Sequence, residues 1–222
     1  YHSVHLPFER IFAIFEEVAG DRMEYIYIDN KSDKTLVLFH GTGGDEKVLL
    51  PIAKQVAPNM NHLSLRGDVV SFGKRRFSKV RFEDDLVDEE DLFNRIPNLY
   101  ETVLKLRDKY DLGELWGLGF SNGAMTLSAM ILNDYNPFKK AVLLRPLNCE
   151  SETNTPPLKG MPILIHSGKH DPITPAISAV QLEMRLIKAG AKVEHHVYPL
   201  DHRMKMNEVN DIKKWFEKEM KE

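Results

Sequence analysis

Residues 113–126 read "GELWGLGFSNGAMT". An apolar run ends in glycine, phenylalanine, serine, asparagine and glycine, and small or apolar residues follow. The run predicts a buried strand and the residues after Ser121 predict a helix, so Ser121 stands at the sharp turn between the two. Gly119-Phe120-Ser121-Asn122-Gly123 fits the G-x-S-x-G pattern in the setting that pattern needs. The turn forces strained backbone angles on the serine, and the flanking glycines let neighbouring chain approach it. The helix that follows aims its first N–H groups at the same place, where negative charge would be stabilised. The competing assignment is a serine that simply caps the helix. The sequence on either side decides between them.

Outward from this stretch, strands and helices alternate. "MEYIYID" (23–29), "TLVLFH" (35–40) and "NHLSLRG" (61–67) predict strands upstream, with a helix over "EKVLLPIAKQVA" (46–57). A long connection, 67–83, precedes an acidic helix start and a helix reaching Tyr110, in which Pro97 is expected to make a kink or begin a second segment. Downstream, "KAVLLRP" (140–146), "MPILIHSG" (161–168) and "KVEHHVYP" (192–199) predict strands, and 122–132, 175–189 and 204–220 predict helices. About seven strands, several of them continuous apolar runs, imply an α/β fold: a mostly parallel sheet with helices on both faces. Residues 23–222 read as one domain. Before it, Phe8, Ile11, Phe12, Phe15 and Val18 recur at helical spacing, so residues 7–18 predict an amphipathic helix ending at Gly20, within an N-terminal extension of residues 1–22. An apolar face left uncovered on that helix would drive association into a homodimer.

Composition narrows the function. A chain of 222 residues with 42% hydrophobic and 28% charged residues has the balance of an ordinary globular protein. A net charge of −3 gives no general attraction to nucleic acid or anionic lipid. The single cysteine, Cys149, excludes an internal disulfide and a CxxC metal knuckle. No apolar run reaches the roughly 20 residues of a membrane span. "PFERIFAIFEEVAG" (7–20) is interrupted by Glu9, Arg10, Glu16 and Glu17 and makes a poor signal peptide, so a soluble protein of the cytoplasm is expected.

A serine hydroxyl is a weak nucleophile until a base takes its proton, and the base needs an orienting acid. Such residues belong after later strands, in the order Ser, Asp, His. Asp171 lies in "PILIHSGKHDPITP", just after the sixth strand, and His202 in "VEHHVYPLDHRM", just after the seventh. An oxyanion needs fixed donors too. The backbone N–H of Asn122 is one. The loop "FHGTGGDE" after an early strand offers the other, the N–H of Thr42, whose side chain should matter little.

His40-Gly41-Thr42-Gly43-Gly44, Gly119 to Gly123, Asp171-Pro172 and His202 together resemble the α/β-hydrolase superfamily. More narrowly, residues 24–220 resemble the small bacterial carboxylesterase/phospholipase family, related to acyl-protein thioesterases and to hydroquinone-linked carboxylesterases. The resemblance implies a serine esterase without a separate cap domain and without a cofactor, acting on small to medium carboxylic esters. Thioester hydrolysis, including protein deacylation, is the alternative within the enzyme class, and a non-catalytic binding protein of the same fold is the alternative outside it. One residue departs from the pattern: Asp201 precedes His202 where the family has glycine.

Other features compete for attention. His195 and His196 are neighbours in a strand, so their side chains point to opposite faces. His40 is expected to brace the oxyanion loop, while His166 closes a strand and His170 sits one residue before Asp171, where either could line the mouth of the site. No HExxH spacing or similar cluster suggests a metal, and "GTGGDEK" lacks the phosphate-loop pattern. Lys74, Arg75, Arg76, Lys79 and Arg81 are followed by "EDDLVDEED", so the two runs are expected to pair with each other rather than bind nucleic acid. Phe72, Phe77 and Phe82 in the 67–83 connection are candidate walls for the acyl or aromatic group of a small-molecule ester.

Overall fold

The computed structural model describes residues 10–18, 21–84, 86–149, 151 and 155–221; for residues 10–18, 21 and 22 it describes the backbone alone. Eight strands form one sheet: β1 (Arg10–Val18), β2 (Asp21–Asp29), β3 (Lys34–Phe39), β4 (Asn61–Leu65), β7 (Glu114–Phe120), β8 (Lys140–Leu144), β9 (Pro162–Gly168) and β10 (Lys192–Tyr198). Their spatial order is β1-β2-β4-β3-β7-β8-β9-β10. From β4 to β10 every neighbouring pair is parallel, and β1 and β2 add an antiparallel edge. All seven strands read from the sequence are present.

The central parallel strands are mostly apolar because both faces are covered. Val37, Phe39, Leu63, Leu65, Leu143, Ile163 and Ile165 pack with α2 (Glu89–Tyr110), α3 (Asn122–Ile131) and α4 (Ala176–Lys188). Leu36, Leu38, Trp116, Leu118, Val142, Leu144 and Leu164 pack with α1 (Leu50–Val56) and α5 (Met206–Glu219). Alternate residues of one strand therefore feed two cores. Each such aliphatic or aromatic side chain contributes roughly 1.5–3 kcal/mol on burial.

Three expectations need correction. The segment read as a helix over residues 7–18 is a strand from Arg10 to Val18, paired with β2 from Arg10↔Asp29 to Val18↔Asp21; residues 7–9 lie outside the described residues. Pairing with β2 along its whole length overrides its helical spacing. The homodimer expectation rested on that helix and is not carried further. Of the two effects expected of Pro97, a second segment does not form, since α2 runs unbroken from an Asp88 cap, whose side chain accepts the Asp91 N–H, to a left-handed Asp111. The 67–83 connection holds a hairpin of β5 (Val69–Ser71) and β6 (Lys74–Arg76). Its two turn residues, Phe72 and Gly73, have φ of 48° and 70°, which matches the twist of a tight hairpin.

Among the described residues, no helix is long and apolar enough to cross a membrane. The two charge runs do pair, Arg81 with Asp84 at 2.6 Å and Lys79 with Asp91 at 3.6 Å.

Candidate active site

The loops after β3, β7, β9 and β10 leave the sheet at its carboxyl edge, where open parallel sheets place their ligands. Ser121 follows β7 with φ 53° and ψ −117°, far from the usual regions for a residue with a side chain. Its N–H donates to the carbonyl of Leu144 (2.8 Å) on the neighbouring strand, and its carbonyl accepts from Met125 N–H (3.0 Å) in the helix. A Cβ on Gly123 would sit 2.0 Å from the carbonyl oxygen of Phe39, and one on Gly119 would sit 2.7 Å from Ala124. Only glycine permits this turn. The side chain of Ser121 makes no hydrogen bond to cap α3. It lies instead 3.0 Å from Nε2 of His202.

The other ring nitrogen of His202, Nδ1, is 2.7 Å from Oδ2 of Asp171. Asp171 is an acceptor when ionised, so Nδ1 carries the proton and Nε2 is free to accept from the Ser121 hydroxyl. The remaining capacity of Asp171 is filled. Oδ1 accepts from the N–H groups of Ile173 (2.8 Å) and Thr174 (3.0 Å), and Oδ2 also accepts from the Thr174 hydroxyl (2.7 Å). Burial alone would raise the pKa of this carboxyl, but the Thr174 hydroxyl and amide, His202 and Ile173 outweigh it and hold the group below the ordinary carboxylate range.

Thr42 stands in the loop after β3, and Asn122 is the first residue of α3, directly after Ser121. Among the described residues, no acceptor takes the backbone N–H of either. The Asn122 side chain is engaged elsewhere: Oδ1 accepts the Phe77 N–H (2.9 Å) and Nδ2 donates to Ser78 Oγ (3.4 Å). That ties the 67–83 connection to the turn at Ser121. His40 braces the loop after β3. Its Nε2 accepts the Gly67 N–H (2.9 Å), which makes Nδ1 the donor to the Gly41 carbonyl (2.7 Å), and burial lowers its pKa so that the ring stays neutral. The hairpin touches the same loop, through Gly43 N–H to the Arg75 carbonyl (2.8 Å) and Arg76 Nη1 to Thr42 Oγ1 (3.1 Å).

The phenylalanines divide. Phe77 is 3% exposed and packs on Phe39 and His40. Phe72 and Phe82 are 55% and 83% exposed and stack on each other, ring centroids 5.9 Å apart. Asp201 does not turn towards the imidazole. Its carboxylate accepts from the backbone and guanidinium of Arg203, which lower its pKa to about 2. His170 is exposed, and His166 is buried in the sheet rather than at its mouth.

His195 and His196 do face opposite ways. His196 stacks on His166, whereas His195 sits between Ser167 Oγ (2.8 Å, from Nε2) and Glu183 Oε2 (2.8 Å, from Nδ1). This is a second serine–histidine–carboxylate line, but Ser167 is 1% exposed in a strand flanked on both sides by partners. It lies within a paired strand rather than at a strand-to-helix turn, which makes it a packing arrangement rather than a reaction centre.

The sequence reading missed three residues near the site: Thr174, Arg145 and Glu208. Thr174 had a signal, the Asp-x-x-Thr spacing in which a hydroxyl folds back on a carboxylate. Arg145 is wholly buried at the end of β8 and pairs with Glu208 of α5 at 2.8 Å. A lone arginine closing an apolar strand was visible, but its partner is 63 residues away. Among the described residues, no group of three or more His, Cys, Asp or Glu side chains could hold a metal ion.

The sequence model of the phospholipase/carboxylesterase family matches residues 23–220. The curated relative MhqD of Bacillus subtilis (strain 168) is 29% identical over 196 residues, spanning 87% of this chain and 98% of its own. The crystal structure of the Bacillus cereus carboxylesterase superposes with a TM-score of 0.83 at 32% identity, covering 88% of this chain and 94% of that one. A carboxylesterase from Mesorhizobium loti, at 23% identity, shares the fold with a TM-score of 0.81 over 88% of this chain and 94% of its own. The match over almost the whole of residues 23–222, on an α/β-hydrolase sheet, places this chain in the phospholipase/carboxylesterase family.

Proposed function

We propose that this chain is a serine hydrolase that cleaves small to medium carboxylic esters through an acyl-enzyme. Ser121 Oγ attacks the ester carbonyl while His202 Nε2 takes its proton. The N–H groups of Thr42 and Asn122 receive the oxyanion, each such donor lowering the barrier by about 3–4 kcal/mol. Asp171 holds the imidazole in the required tautomer and stabilises the imidazolium. His202 then gives the proton to the departing alcohol. Water, deprotonated by the same imidazole, attacks the acyl-enzyme and releases the acid. Residues 23–222 form the catalytic domain, working on a small-molecule ester in the cytoplasm, and the exposed pair of Phe72, at the hairpin turn, and Phe82, beyond the hairpin, receives the apolar part of the substrate.

The observation that carries this reading is the line Ser121 Oγ–His202–Asp171, with contacts of 3.0 and 2.7 Å, at a turn where the serine caps nothing. Hydrolysis of p-nitrophenyl esters from acetate to palmitate tests it. Wild type should turn over, with an optimum that reports pocket length, and Ser121→Ala and His202→Ala should each lose at least about 10³-fold in kcat. A His202→Ala variant that keeps wild-type rates would move the base elsewhere.

A further inference from the structure

Arg145 stands in left-handed backbone with φ 52°, a conformation that costs a residue with a side chain roughly 1 kcal/mol or more. Glycine would avoid that cost, so the guanidinium must supply something in return. Four of its five N–H donors are engaged. Nη1 and Nη2 donate to Oε2 (2.8 Å) and Oε1 (2.9 Å) of Glu208, Nε donates to the carbonyl of Asp201 (3.1 Å), and Nη2 donates to the carbonyl of Arg203 (3.2 Å). Those two carbonyls immediately precede and follow His202. Glu208 also accepts the N–H of Lys205 (3.1 Å), closing the far end of the same loop.

The other side of Arg145 reaches the nucleophile. Its own N–H donates to the His166 carbonyl (2.7 Å), and the carbonyl of the preceding residue, Leu144, accepts the N–H of Ser121 (2.8 Å). Arg145 Nε is also 3.9 Å from Oδ2 of Asp171, and His166 Nδ1 is 3.8 Å from Oε2 of Glu208. We propose that Arg145 and Glu208 form a buried clamp that positions His202 against Ser121. Arg145 is thus a positioning residue, acting through the backbone of the loop and not on substrate. Buried ion pairs are weak sources of stability and can often be replaced by apolar residues without loss. Placement of a reacting group is less forgiving, and an error of about 1 Å costs roughly 10²-fold.

The clamp rests on the esterase reading for its kinetic consequence but not for its geometry, and the test separates the two. The full chain is made as wild type, as R145M/E208L and as Arg145→Lys, and each is followed by thermal unfolding, by kcat and KM on a cleaved ester, and by the low-field Nδ1 proton resonance of His202. The double variant should unfold within about 5 °C of wild type. Its kcat should fall about 100-fold with KM changed less than about 3-fold, and the low-field resonance should broaden or vanish. Lysine, a point donor without the planar fork, should lose about 10-fold in kcat and keep a weakened resonance. A double variant with wild-type kcat and an unchanged resonance overturns the clamp. Should the double variant not fold, Arg145→Lys with wild-type kcat and resonance overturns it instead. An inert wild type would sink the esterase reading, and the resonance would still decide the clamp.

Discussion

Ser121 directs its hydroxyl to His202 and leaves its own helix uncapped, so the cost of the strained turn is not offset by capping. Substitutions around it should separate into clear classes. Asp171→Asn should lower kcat by about 10⁴-fold with little change in melting temperature, because an amide holds the wrong imidazole tautomer. The Asp171 carboxyl lies below the usual range, so it stays ionised as pH falls towards that range; activity lost on mild acidification must come from another group, and the acid limb of a kcat/KM profile should not follow Asp171. Thr42→Ala should cost less than about 10-fold in kcat, since it removes a hydroxyl held by Arg76 and keeps the backbone donor. A loss of 10³-fold would give the hydroxyl a direct role. The serine, the aspartate and the histidine were legible because each follows a strand in a fixed order. Arg145 and Glu208 were not, because their meaning lies in carbonyls 56 and 58 residues from Arg145 that no local pattern encodes.

At the scale of elements, most of the buried parallel strands declare themselves as short apolar runs, while the antiparallel β2 was readable from its alternation. The stretch "RIFAIFEEV" was not, since its apolar residues satisfy helical and alternating spacing alike and only pairing with β2 chooses between them. The β5–β6 hairpin escaped for a different reason: its strands are three residues each, one of them Lys-Arg-Arg, and phenylalanine occupies a turn position that favours asparagine or aspartate. Phe72→Asn should therefore hold or raise stability by up to about 1 kcal/mol while raising KM for long-chain esters, if that ring receives the acyl chain. An unchanged KM across the ester series would remove Phe72 from the pocket. Pro97 lies inside α2, where it lacks an N–H for the Phe93 carbonyl one turn earlier. Pro97→Ala should stabilise the protein by about 1–3 kcal/mol, read as a higher urea midpoint at constant slope. A lower midpoint would mean that the proline fits a bend the rest of the fold requires.

Among the described residues, His166 is buried without a hydrogen-bond partner on either ring nitrogen. Burial first, then His196 and Arg145, lower the pKa of His166 to about 3 from an ordinary 6.5. The unfolded chain binds this proton where the folded one does not, so stability declines as pH falls from about 6.5 towards about 3, with a limiting slope of about 1.4 kcal/mol per pH unit. His166→Phe should flatten the dependence between pH 6.5 and 4.5, measured by denaturant unfolding at each pH; an unchanged slope would place the titration elsewhere. The same fold carries two serine–histidine–carboxylate lines, at Ser121 and at Ser167, and the account assigns chemistry only to the one at the strand-to-helix turn. Reaction of the full chain with a fluorophosphonate, followed by intact mass and peptide mapping, distinguishes them directly. One adduct per chain on the peptide bearing Ser121, lost in Ser121→Ala, is the result the account predicts. An adduct on Ser167, or none at all, would contradict it.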